Sequence, residues 1–111
     1  MTNEQINTAL YWKLQAEHES YKNWLMTQPP AVILEHAYKY AMMEDILLVF
    51  ENNNLPTAHA KALMHGSGHL NKILDAWQED GTGHMDSMWE KAQEYAKDAA
   101  DRSAKNQDKG R

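Results

Sequence analysis

The sequence has no cysteine, only three prolines and five glycines, and a single phenylalanine. Without cysteine there can be no disulfide scaffold, thiolate metal site or cysteine nucleophile, which suits a reducing compartment. Long apolar runs are also missing. The longest, Ile46-Leu47-Leu48-Val49-Phe50, is far short of the roughly 20 residues that span a bilayer, so no membrane segment is expected. Met1-Thr2-Asn3-Glu4-Gln5 lacks the basic and apolar regions of a signal peptide, and the expected location is cytoplasmic. β-branched residues are few and nothing alternates with period two, which removes strands. There is no Gly-x-Ser-x-Gly elbow, no His-Glu-x-x-His and no phosphate loop followed by Lys-Ser/Thr, so the expectation is no enzyme and no cofactor.

What is present fits one folded domain: 111 residues, 42% apolar and 24% charged. Sixteen acids against eleven bases give a net charge of −5, which opposes direct binding to nucleic acid or anionic lipid. The excess lies late in the chain. Asp75, Glu79, Asp80, Asp86, Glu90, Glu94, Asp98 and Asp101 face only Lys91 and Lys97. The stretch from Asn52 to Leu74 has no acid.

Apolar spacing predicts an all-α, single-domain bundle of about five helices. Ile6, Leu10, Leu14, Tyr21 and Leu25 mark a first helix over 3–28, which Pro29-Pro30 ends while opening the next. The second helix carries one apolar face through Ile33, Ala37, Tyr40, Ala41, Leu47 and Leu48. Met42, Ile46, Val49 and Phe50 add another, so it is expected at the centre, packed on both sides. Asn52-Asn53-Asn54 breaks it. A short helix over 56–64, a stop at Gly66-Ser67-Gly68, a helix through Leu70, Ile73, Leu74 and Trp77, and a last helix over 84–104 complete the set. The domain is placed at 1–101, with a frayed polar tail over 102–111.

Several local patterns together resemble one family: Leu10-Tyr11-x-Lys13-x-Gln15-x-Glu17, Gln28-Pro29-Pro30 with Ile33-Leu34, His36-Ala37-Tyr38-x-Tyr40, Glu44-Asp45-Ile46-Leu47, Glu51-x-Asn53-x-Leu55 and Ala60-Lys61-Ala62-Leu63. The chain is similar, from about residue 8 to residue 100, to an uncharacterised small helical domain family of bacterial conjugative elements, plasmids and prophages. The resemblance implies a bacterial, cytoplasmic, mobile-element setting with no assigned activity. Small acidic proteins from such elements include inhibitors of host defence, anti-CRISPR proteins among them, an association of context rather than chemistry.

Three constellations carry chemistry. His36, Tyr40 and Glu44 step four at a time along the second helix, and the expectation is a buried polar network whose members satisfy one another. The rival is an acid–base or metal-assisted site. His65 and His69 have the spacing of paired ligands, but two glycines between them make a loop, so no metal is expected. Gly66-Ser67-Gly68 before a helix suits an anion but lacks a flanking strand.

Asp86, Glu90, Glu94 and Asp98 form an acidic stripe on the last helix. It is either a solvated face or a surface for a basic protein. Trp77 and Trp89 fall on core stripes. Trp12 falls off the Ile6-Leu10-Leu14 line beside Ala9 and Ala16, and exposed it would point to an interface. The expected function is a non-enzymatic interaction protein that inhibits a basic, nucleic-acid-binding defence effector. The alternative is an accessory module of conjugation or plasmid maintenance.

Overall fold

A computed structural model of the chain describes the backbone of residues 1–79 and 85–109 and the side chains of residues 1–79 and 87–104. Among the described residues it is an all-α bundle of five helices: α1 (Asn3–Leu25), α2 (Pro30–Glu51), α3 (Thr57–Leu63), α4 (His69–Glu79) and α5 (Met85–Lys109). The molecule is elongated, 50 × 28 × 27 Å. Among the described residues no helix is long and apolar enough to cross a membrane.

Local chemistry sets each boundary. Thr2 and Gln5 close the start of α1 reciprocally: the Thr2 hydroxyl accepts from the Gln5 N–H at 3.1 Å, and the Gln5 side chain accepts from the Thr2 N–H at 2.9 Å. Pro29 is extended and Pro30 takes the first position of α2, where no intrahelical N–H is needed. At the other end of α2 the Asn52 and Asn53 side chains donate to the carbonyls of Leu48 and Val49, both at 2.9 Å. The Leu48 carbonyl also takes the Asn52 N–H at 3.2 Å, while at Val49 the Asn53 side chain supplies the donor that another turn would bring, which is how the run stops the helix. Gly66 and Gly68 have φ of +77° and +76°, a backbone that side-chain-bearing residues rarely adopt. They turn the chain between α3 and α4.

All five helices contribute to the core, with Leu10, Leu14, Ile46, Leu63, Leu70, Ile73, Leu74 and Met88 fully enclosed. Trp77 is buried and donates its indole N–H to the Ser87 hydroxyl at 2.8 Å, while Trp89 meets Phe50 edge to face at 5.4 Å. Asn7 is buried too. Its amide donates to the Leu55 carbonyl at 3.0 Å and to the Asn3 carbonyl at 2.9 Å, and accepts from the Leu55 N–H at 2.8 Å. One side chain thus satisfies both backbone groups of a buried residue that belongs to no helix.

The central position expected of α2 holds only for its C-terminal half, where Met43, Ile46, Leu47 and Phe50 are buried. Its N-terminal half packs on α1 and leaves Leu34, Ala37, Tyr38 and Ala41 exposed. The reason is length. With seven and eleven residues, α3 and α4 are too short to cover helices of twenty-three and twenty-two. The stretch read as a tail begins inside α5, whose backbone stays helical to Lys109. Ala, Lys, Gln and Arg favour helix, and no proline or glycine interrupts before Gly110.

Candidate functional site

The three polar residues of α2 do not form the buried network expected of them. His36 and Tyr40 are half-buried and Glu44 is exposed, and no hydrogen bond joins them. Each ring instead pairs across the hairpin with α1. His18 stacks on Tyr40 with centroids 4.4 Å apart and donates from Nε2 to the Tyr40 carbonyl at 3.3 Å. Trp24 meets His36 edge-on at 5.8 Å. The i, i+4 row looks toward a facing helix that offers aromatic surface, so stacking displaces contacts along the row. Glu44 lies on a shallow groove with Tyr11, Gln15, His18 and Leu48.

A second polar cluster, which sequence reasoning did not assemble, holds the loop before α4. His69 is buried at the first position of that helix. Its Nε2 lies 2.6 Å from the His65 carbonyl and its Nδ1 2.8 Å from the Tyr95 hydroxyl. A carbonyl only accepts, so Nε2 carries the proton and, on the neutral ring, Nδ1 accepts from the phenol. Burial raises the Tyr95 pKa above 10.0, with Glu17 adding to the rise and Arg102 opposing it. The Lys13 ammonium donates to the Gly66 carbonyl at 2.7 Å and sits 3.6 Å from Glu17 Oε2. Glu17 Oε1 accepts from the Leu70 N–H at 3.0 Å.

The cluster bears on the loop that precedes α4. The anion that Gly66-Ser67-Gly68 was suited to hold is a side chain of the same molecule, since the Glu17 carboxylate takes the start of α4. Both ring nitrogens of His69 are engaged, and among the described residues no three His, Asp or Glu side chains converge. For the contact of His18 with Tyr40 a signal was available. His18 extends the Leu10-Leu14 stripe by one step of four, so a polar residue stood at a core position.

The exposed surface divides by helix. Trp12 is 63% exposed and stacks on Tyr11 at 5.4 Å with the planes 16° apart. Grooves on either side of it are lined by Asn7, Thr8, Phe50, Glu51 and Asn54, and by Met1, Glu4, Gln5, Thr8 and Ala9. Every large, well-exposed apolar side chain among the described residues belongs to residues 1–48: Met1, Trp12, Trp24, Met26, Leu34, Tyr38 and Leu48. On α5 the acids Glu90, Glu94 and Asp98 are exposed. Lys91 pairs with Glu94 at 3.1 Å, and Glu90 and Glu94 border a shallow groove with Pro56, His59 and Lys97. The side chain of Asp86 lies outside the described residues.

Comparison with known proteins gives one family. A family model described as "Protein of unknown function (DUF3848)" matches residues 6–100. No curated protein and no solved structure matches the chain.

Proposed function

The chain belongs to the DUF3848 family of proteins of unknown function, and we propose that it acts without catalysis, by binding another protein whose surface is basic. The observation that carries this is the placement of Trp12. A mostly solvated indole, stacked on a tyrosine and flanked by grooves, is the kind of anchor on which interfaces concentrate their energy. The sign of the partner's charge follows from the acids. Glu4 and Glu51 border the grooves beside Trp12, and no lysine or arginine lines them. The exposed carboxylates of α5 form a second negative surface. Such surfaces speed encounter with a cationic partner and lose that advantage as salt rises.

Within that reading, the partner is a nucleic-acid-binding effector of bacterial defence, held by carboxylates standing where it expects phosphates. The acidic charge and the resemblance to a mobile-element family support this. An accessory role in conjugation or plasmid maintenance would use the same surfaces on a different basic protein.

The test is affinity capture from a bacterial lysate, followed by binding measurements with the purified partner. Trp12→Ala should abolish binding with the circular dichroism unchanged. Replacing Asp86, Glu90, Glu94 and Asp98 together by Gln or Asn should weaken it and flatten its salt dependence. Binding indifferent to both changes and to salt would overturn the proposal.

A further inference from the structure

A second stripe runs the length of α2, and among the described residues nothing covers it. Ala31, Leu34, Tyr38, Ala41, Asp45 and Leu48 follow one another at steps of three, four, three, four and three, the spacing of a coiled-coil seam. All are exposed except Asp45, which is half-buried, and Leu34 and Tyr38 are 78% and 63% exposed. At 1.5 Å per residue the seam is about 26 Å long. On its other side the helix is already packed against the bundle through Met43, Ile46, Leu47 and Phe50. A soluble helix seldom keeps a long apolar stripe in water unless something docks there.

We propose that the occupant is a second copy of this chain, its α2 lying antiparallel along the seam. Charge selects both the partner and the direction. Glu44, Asp45 and Glu51, on the seam or at its edge, all belong to the C-terminal half. The first turn of α2 has no acid, and no side chain caps its free N–H groups. Parallel pairing would set Asp45 beside Asp45 of the second copy. Antiparallel pairing carries the acids of each C-terminal half to the other helix's N-terminal end, the positive pole of its dipole. A uniformly basic helix fits less well, because Glu35 is the one acid along the N-terminal half.

Size agrees with charge. In the antiparallel register of full overlap, Tyr38 lies over the second copy's Ala41 and Leu48 over its Ala31, bulky on small, and Leu34 meets Asp45. Trp12 is not part of the seam, so this pairing and the binding of a basic protein are separable.

Sedimentation equilibrium of the full chain across the micromolar range is expected to show a monomer–dimer equilibrium. Ala41→Arg and Leu34→Glu, both at exposed positions, should keep the helical circular dichroism and weaken dimerisation at least about tenfold, the second by setting a carboxylate against Asp45 of the other copy, whereas Trp12→Ala should leave it unchanged. Direction is read by cross-linking, since the chain has no cysteine of its own. On oxidation, a mixture of Ala31→Cys and Leu48→Cys chains should form the mixed disulfide faster than either chain links to itself. A chain that stays monomeric throughout, a dimer indifferent to Ala41→Arg, or preferential self-linking of Leu48→Cys would each overturn the proposal. Capture of a basic amphipathic peptide by a chain that remains monomeric would do the same.

Discussion

Glu17 on α1 and Leu70 on α4 are joined by a 3.0 Å hydrogen bond from the Leu70 N–H to the Glu17 carboxylate, across fifty-three positions of sequence. The bond fastens an eleven-residue helix, too short to be stable alone, to the twenty-three-residue α1. It also neutralises the positive end of the α4 dipole from outside that helix.

Removing this carboxylate should therefore act as the loss of a cap. Glu17→Ala is expected to cost about 1–2 kcal/mol in urea unfolding. Glu17→Gln keeps an acceptor for Leu70 and should cost less. Equal losses in the two variants would mean that the hydrogen bond contributes nothing and that the charge beside Lys13 is what counts.

Asn7 offers a sharper test because its amide both donates to and accepts from Leu55. Asn7→Asp keeps the shape but turns a carboxylate oxygen toward the Leu55 carbonyl, with an expected loss of about 1–3 kcal/mol. The loss should shrink on acidification, as the new carboxyl takes up a proton and donates again. A penalty independent of pH would argue against the geometry described.

Two half-buried tyrosines should respond in opposite directions to removal of the hydroxyl. Tyr21 has a buried hydroxyl without a hydrogen-bond partner, so Tyr21→Phe should leave stability unchanged or raise it by up to about 1 kcal/mol. Tyr95→Phe strips His69 Nδ1 of its partner and should lower stability by about 1 kcal/mol. Thermal unfolding of the two variants side by side decides the matter.

The same two phenols set an alkaline limit. Burial raises the pKa of both above 10.0 in the folded chain, so the native state holds these protons more tightly than the unfolded one. The associated stability is fully present below pH 10.0 and is lost as pH rises through the raised values. The absorbance lost on Tyr21→Phe and on Tyr95→Phe should belong to tyrosinates that form above pH 10.0. Stability that stayed flat through that range would contradict this.

The early part of the fold was open to sequence reasoning because its signals are local. Pro29-Pro30, the three asparagines and the two loop glycines each act on backbone geometry within a turn of themselves, and the observed helices start and stop beside them. The core positions of α1 and α4 were equally legible, since a repeat of three and four states which side of a helix avoids water. Asn7 and His18 stood on or next to that side as polar residues and could have been marked as groups needing partners.

The sequence alone determined the number of helices, their order and the apolar side of most of them, because propensity, capping and periodicity are properties of neighbouring residues. The tertiary structure alone decided which of those sides are covered. Periodicity shows that α2 is apolar on two faces, but coverage depends on the reach of α3 and α4 and on where the turns direct them. For the same reason His36 and Tyr40, regular along one helix, found aromatic rings on another while Glu44 stayed exposed, and Glu17 became the anion at a glycine loop far along the chain. Which surfaces remained in water, Trp12 and the outer stripe of α2 among them, followed from that packing.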